Sequence, residues 1–169
     1  MVDTVRVGVA GAGLIGAVHA RAYQQVPGVE LVGVADPIRE RAESLAREVG
    51  CQAFPDYEAL LAADIDVLSA CLTSALHLPA AQAAAQSETH LLMEKPITRT
   101  LANADRMLAV CREAGIYLMI GFTHRFYPEM REAKRVVESG TIGKPLTVLD
   151  SMSITHSFIP PWYLSLIHI

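Results

Sequence analysis

Six residues, Gly11-Ala12-Gly13-Leu14-Ile15-Gly16, constrain this chain more than any others. The pattern G-x-G-x-x-G is common by chance, but here it follows the apolar run Val5–Ala10 and opens a helical pattern. In that context each glycine has a task. The first permits a tight turn, the second lets the backbone approach a pyrophosphate, and the third lets helix and strand pack closely. The free N–H groups and positive end of the helix then face the anion, with the amides of Leu14 and Ile15 in its first turn. A plain glycine-rich strand-to-helix turn is the alternative.

The rest of the chain repeats this alternation. Strand patterns cover Val5–Ala10, Glu30–Ala35, Asp66–Leu72, His90–Glu94 and Tyr117–Gly121. Helical patterns cover Leu14–Gln25, Pro37–Val49, Leu76–Gln86 and Leu101–Ala114, with a shorter one at Tyr57–Ala62. Apolar strands separated by helices predict a parallel sheet of β-α-β units with right-handed crossovers. Pro27-Gly28 marks a turn, and Gly50 and Gly115 sit where helices end in a left-handed cap. The predicted fold is α/β, a doubly wound Rossmann sheet. After Gly121 the pattern changes. An amphipathic helix over Pro128–Ser139 carries Met130, Ala133 and Val137 on one face, and a long strand is predicted over Leu146–His156. These elements read as the opening of a second α/β domain. The expected division is 1–122 for the first domain and 123–163 for the truncated start of the second.

The last six residues, 164–169, resemble letter for letter one reading frame of the transposon mosaic-end adapter used for sequencing libraries. They are read as a scar and left out of fold reasoning, the alternative being a genuine apolar tail. On that reading the gene continues, and Leu146–His156 lacks neighbours.

Composition removes several classes. With 14 Lys+Arg against 18 Asp+Glu the formal charge is −4, so no basic surplus is available to grip nucleic acid. Mean hydropathy is high, at +0.30. The longest uncharged run, Val67–Ser87, is nevertheless interrupted by His77 and Pro79, unlike a bilayer span. No signal-peptide pattern precedes Val5. The three cysteines, Cys51, Cys71 and Cys111, are scattered and odd in number, which favours reduced thiols and a cytoplasmic location. No His, Cys or carboxylate pair has metal-ligand spacing, so no metal site is expected.

Two further positions bear on chemistry. Asp36 lies about twenty residues after Gly16, at the end of the second strand, where a carboxylate can bind a ribose 2′-hydroxyl and repel a 2′-phosphate. NAD is therefore favoured. Arg39 and Arg41 are near enough to accept that phosphate, which keeps NADP open. Asp36-Pro37 also suits the N-cap and first turn of the next helix. Lys95, in Glu94-Lys95-Pro96, follows a strand, so it should point into the cleft beyond the strand ends and polarise a substrate hydroxyl. A solvated surface lysine is the plainer reading. His19 reads as a packing residue on the first helix, and His124 and His156 as possible substrate contacts.

Taken together, these residues resemble the N-terminal half of the Gfo/Idh/MocA oxidoreductases. The matching segments are Gly11–Gly16, Val34-Ala35-Asp36-Pro37, Thr73 with His77, His90–Pro96, Gly121–Phe126 and Ile142-Gly143-Lys144-Pro145. The resemblance implies hydride transfer between nicotinamide and a hydroxyl carbon of a sugar, polyol or cyclitol. It implies that Glu94 and Lys95 border the nicotinamide ribose, with Lys95 reaching the substrate. Thr73 and His77 would line the cofactor cleft, and Arg125 would face substrate or cofactor. The intact protein is expected to be a homo-oligomer. The chain departs from the pattern in lacking a proline after Thr73 and in carrying Ser87-Glu88-Thr89 where a glycine would cap a helix. The family's later Asp…His acid/base pair is absent, so these residues are expected to bind dinucleotide without turnover. A non-catalytic dinucleotide-sensing regulator is the rival reading.

Overall fold

Val5–Ala10 forms the first strand, β1, and buries four consecutive residues from Val7 to Ala10. Burial on both faces is why this segment shows no alternation. A strand covered by helices above and below selects apolar residues throughout. The computed structural model describes residues 4–149 and residue 151, which fall into two compact units, one ending at Thr123 and one beginning at His124.

In the first unit the remaining strands are β2 (Val29–Ala35), β3 (Gln52–Phe54), β4 (Val67–Ala70), β5 (His90–Met93) and β6 (Leu118–Ile120). All pair in parallel, and the sheet order is β3-β2-β1-β4-β5-β6. The helices are α1 (Leu14–Tyr23), α2 (Arg39–Val49), α3 (Tyr57–Leu61), α4 (His77–Gln86) and α5 (Leu101–Glu113). The order reverses between β1 and β4, and that switch point opens the crevice where ligands bind in doubly wound sheets.

Two apolar clusters flank the sheet. Ala20, Leu45, Ala46 and Val49 from α1 and α2 pack with Val9 and Val34 on one face. Leu60, Leu68, Ala80, Ala84, Met93 and Met107 anchor the other, beneath α3, α4 and α5. Alanines on α4 let it approach the sheet closely. Each fully buried Leu or Met contributes about 2 kcal/mol.

The strands and helices predicted before Gly121 are present, with ends shifted by up to a few residues. The edge strand β3 is an addition, because three residues are too few to show a periodicity. The N-cap expected at Asp36-Pro37 is overturned. The helix begins at Arg39, with Ile38 at its N-cap. Asp36 instead accepts from the Ile38 amide at 2.8 Å, forming a local turn that delays the helix. Asp56 and Thr100 do cap their helices, accepting from the amides of Ala59 and Asn103.

In the second unit a 3-10 turn over Thr123–Phe126 leads to α6 (Pro128–Glu138), with Pro128 in its first turn. Met130 and Val137, on the face that the sequence marks as apolar, are both exposed. The strand expected over Leu146–His156 does not form across residues 146–149, where Leu146, Val148 and Leu149 are largely exposed. Among the described residues no strand lies alongside to complete a ladder, and a lone strand has neither hydrogen bonds nor a face to bury. Residues 150 and 152–156 of that segment, His156 among them, and the adapter-like residues 164–169 lie outside the described residues. Among the described residues no helix is long and apolar enough to cross a membrane.

The loss of the glycine cap after α4 has a visible cost. Glu88 adopts φ 52°, the left-handed conformation that a side chain resists. The substitution Glu88→Gly is expected to raise stability by about 1 kcal/mol. Urea denaturation checks this, and an unchanged or lowered midpoint contradicts it.

Candidate dinucleotide site

The glycine loop joins β1 to α1 at the switch point. Gly11 has φ +97°, and a Cβ there would collide with the carbonyl oxygen of Cys71 on the neighbouring strand segment. A Cβ on Gly16 would collide with the carbonyl of Gly11. Both glycines are therefore dictated by internal packing. Gly13 differs, because a Cβ there would meet nothing within 4 Å. Its φ of −78° is open to any residue, so neither packing nor backbone geometry calls for glycine at that position. The bare position leaves room for a bound molecule to approach the backbone. No side chain caps the first turn of α1, so its amides point outward unpaired by any cap, with Leu14 and Ile15 exposed above them. This fits a dinucleotide pyrophosphate.

Asp36, at the end of β2, is 7% exposed. Its Oδ2 accepts from the Ala12 amide at 2.9 Å while its Oδ1 takes the Ile38 amide. The carboxylate thus ties the end of β2 to the glycine loop. It retains lone pairs for a further donor. Arg39 is 84% exposed and pairs with Glu43 at 2.6 Å. Arg41 lies with Ala12, Arg21 and Glu48 along a shallow groove between α1 and α2.

On the other side of β1, Glu94 follows β5. Its Oε1 lies 3.4 Å from His19 Nε2, and its Oε2 accepts from the Lys95 amide at 3.2 Å. His19 Nδ1 in turn lies 2.8 Å from the fully buried Ser69 hydroxyl on β4. The His19 hydrogen bond holds the Glu94 carboxyl below its ordinary range, against burial and with help from the Lys95 amide. Burial pushes the nearby Cys71 thiol up to about 12, and the Glu94 charge adds to this. That thiol stays protonated and inert at neutral pH.

The remaining residues divide clearly. Lys95 is exposed beyond β5, and Thr73 is exposed beyond β4. His77 is 1% exposed, with Nδ1 3.1 Å from the Ile97 carbonyl and Nε2 3.1 Å from the Leu72 carbonyl. Both ring nitrogens face backbone carbonyl oxygens, of which a neutral ring donates to one, and burial keeps the ring away from a cofactor. His77 instead clamps the segment after β4 to the segment after Lys95. His124 and Arg125 belong to the second unit, where His124 stacks on Tyr127 with ring centroids 4.9 Å apart. Among the described residues no group of three His, Cys, Asp or Glu side chains could hold a metal ion.

The Ser69–His19–Glu94 chain is what the sequence reading missed. His19 passes for packing, although it follows Gly16 by one helical turn and so shares the face toward the sheet. Ser69 is a single polar residue inside an apolar strand, a signal that can be weighed only once its neighbours are known.

A six-stranded parallel sheet, a switch point and a glycine loop with a bare second glycine define a dinucleotide-binding Rossmann domain. The model of the Gfo/Idh/MocA oxidoreductase family, NAD-binding Rossmann fold, matches residues 5–122, and the chain belongs to that family. It is 35% identical over 149 residues to scyllo-inositol 2-dehydrogenase (NAD(+)) of Bacillus subtilis, covering 86% of this chain and 44% of that protein. It is 36% identical over 127 residues to UDP-N-acetylglucosamine 3-dehydrogenase of Acidithiobacillus ferrooxidans, covering 75% and 40%. The crystal structure of scyllo-inositol dehydrogenase from Lactobacillus casei, with bound NAD(H) and scyllo-inositol, superposes with a TM-score of 0.80 at 26% identity, covering 83% of this chain and 43% of that one. The chain spans less than half the length of these relatives.

Two outcomes follow from this geometry. Gly13→Ala is expected to stay within about 1 kcal/mol of wild-type stability while dinucleotide affinity falls at least about tenfold. Gly16→Ala is expected to cost about 3 kcal/mol, because the obstructing atom is backbone. Calorimetric titration and urea denaturation separate the two, and a Gly13→Ala chain that binds normally contradicts the assignment. The second outcome concerns acid. A folded-state pKa below the unfolded value makes the Glu94 contribution complete above the ordinary carboxylate pKa of about 4.3, with loss as pH falls through the folded value. Glu94→Gln should therefore lose less stability than wild type between about pH 5 and 3. Equal losses in denaturation series would show that Glu94 is not the group responsible.

Proposed function

We propose that the protein transfers a hydride between NAD and a hydroxyl carbon of a sugar, polyol or cyclitol, and that residues 5–122 supply its dinucleotide site. The observation that carries this reading is the open space at Gly13, beside the uncapped first turn of α1 and at the switch point. Nicotinamide, when bound, supplies the hydride acceptor or donor. The chain's own residues do the rest. The amides of Leu14, Ile15 and Gly16 receive the pyrophosphate. Asp36 takes the adenosine ribose hydroxyls, and Thr73 lines the cleft beyond β4.

Glu94 presents a carboxylate at the nicotinamide half, and Lys95 reaches the substrate hydroxyl, where its positive charge favours the developing alkoxide. His124 and Arg125 remain candidates for contact with substrate. Names of relatives support the substrate class, since they act on inositols and nucleotide sugars. The chain covers less than half of those proteins, so turnover is proposed for the full-length protein. Cytoplasmic location and homo-oligomeric assembly belong to the same proposal.

NAD is preferred to NADP because the Asp36 carboxylate repels a 2′-phosphate and because Arg39 is turned to Glu43. Titration of the 169-residue chain is expected to give at least about tenfold tighter binding of NAD+ than of NADP+. Tighter NADP+ binding overturns the preference, and binding of neither overturns the dinucleotide reading.

A further inference from the structure

We propose that His19 is a positioning residue for the nicotinamide half of the cofactor, acting through Glu94. The proposal rests on the dinucleotide reading above. Asp36 marks the adenosine half on the β2 side of β1. The second half of a dinucleotide laid across the switch point then falls beyond β4 and β5, where Glu94 stands.

Two segments remote in sequence, at His19 and Gly121, meet this carboxylate beside the adjacent Lys95 amide, and a third, at Ser69, backs His19. His19 from α1 reaches Oε1 at 3.4 Å, and the Lys95 amide reaches Oε2 at 3.2 Å. Ser69 from β4 fixes the imidazole from behind at 2.8 Å. Gly121, after β6, lets the backbone pack against the carboxylate, since a Cβ there would stand 2.5 Å from Oε1. The His19 and Glu94 side chains are only 15% and 11% exposed, so few waters compete for these contacts. A carboxylate held by these contacts and shielded in this way is kept to one orientation. A packing histidine needs no such arrangement. A ring pinned on one nitrogen by a buried hydroxyl and aimed with the other at a carboxylate orients that carboxylate.

The test compares NAD+ with ADP, which lacks the whole nicotinamide riboside half, by calorimetric titration of the 169-residue chain. His19→Ala is expected to weaken NAD+ about tenfold and ADP less than about twofold. His19→Gln, which keeps a donor for Glu94 and an acceptor for Ser69, is expected to restore most of the NAD+ affinity. It also serves as the readout if His19→Ala fails to fold. A purely structural role would weaken both ligands together, so equal losses overturn the positioning role, as does a His19→Ala chain that binds NAD+ normally. If the wild-type chain binds ADP and NAD+ equally well, the nicotinamide half makes no contact here and the proposal fails while the dinucleotide reading stands. If it binds neither, both fail.

Discussion

There is no room for a methyl group between Gly16 and the carbonyl of Gly11. That closeness, together with the approach of Gly11 to the Cys71 carbonyl, draws the start of α1 down onto the end of β1 at the switch point. Everything else in the site takes its position from there. The uncapped first turn faces outward because α1 begins immediately after the loop. Ala12 lies where Asp36 can accept its amide. His19, one turn farther along α1, is delivered over Ser69 and Glu94.

The parallel sheet and its order of elements could be read from sequence because each signal was local. β1, β2 and α1 each combine a continuous run or period with a glycine or proline at its edge. Positions that misled were those with two competing local uses. Asp36 has the right type and spacing to cap a helix. Its oxygens are taken by amides at 12 and 38, and the first of these is brought near only by the fold. His77 has the polarity of a ligand contact, yet two carbonyls enclose it. The segment 146–149 has the alternation of a strand, but alternation expresses a preference that only a neighbouring strand can realise.

One line of polar groups runs through the interior of this domain beside the switch point. Ser69, His19 and Glu94 run from the middle of the sheet to its carboxyl edge, with Tyr23 and Cys71 beside them. Burial raises the Tyr23 hydroxyl above its ordinary range, while a hydrogen bond with Ser69 opposes the shift. An apolar core elsewhere stabilises the sheet without specifying an orientation at its edge. A satisfied polar chain does specify one, and among the described residues no buried side-chain N or O lacks a partner.

Asp36 carries a consequence for anyone wishing to alter cofactor choice. The usual route to accepting a 2′-phosphate removes the acidic residue at the end of the second strand. In this chain the same carboxylate is the post to which the Ala12 amide is fastened, and it is almost wholly buried. Its removal would strand a donor in the glycine loop, so relaxed selectivity and a slackened loop would arrive together. Redesign here has to provide the Ala12 amide with a new acceptor before it provides the phosphate with a new cation.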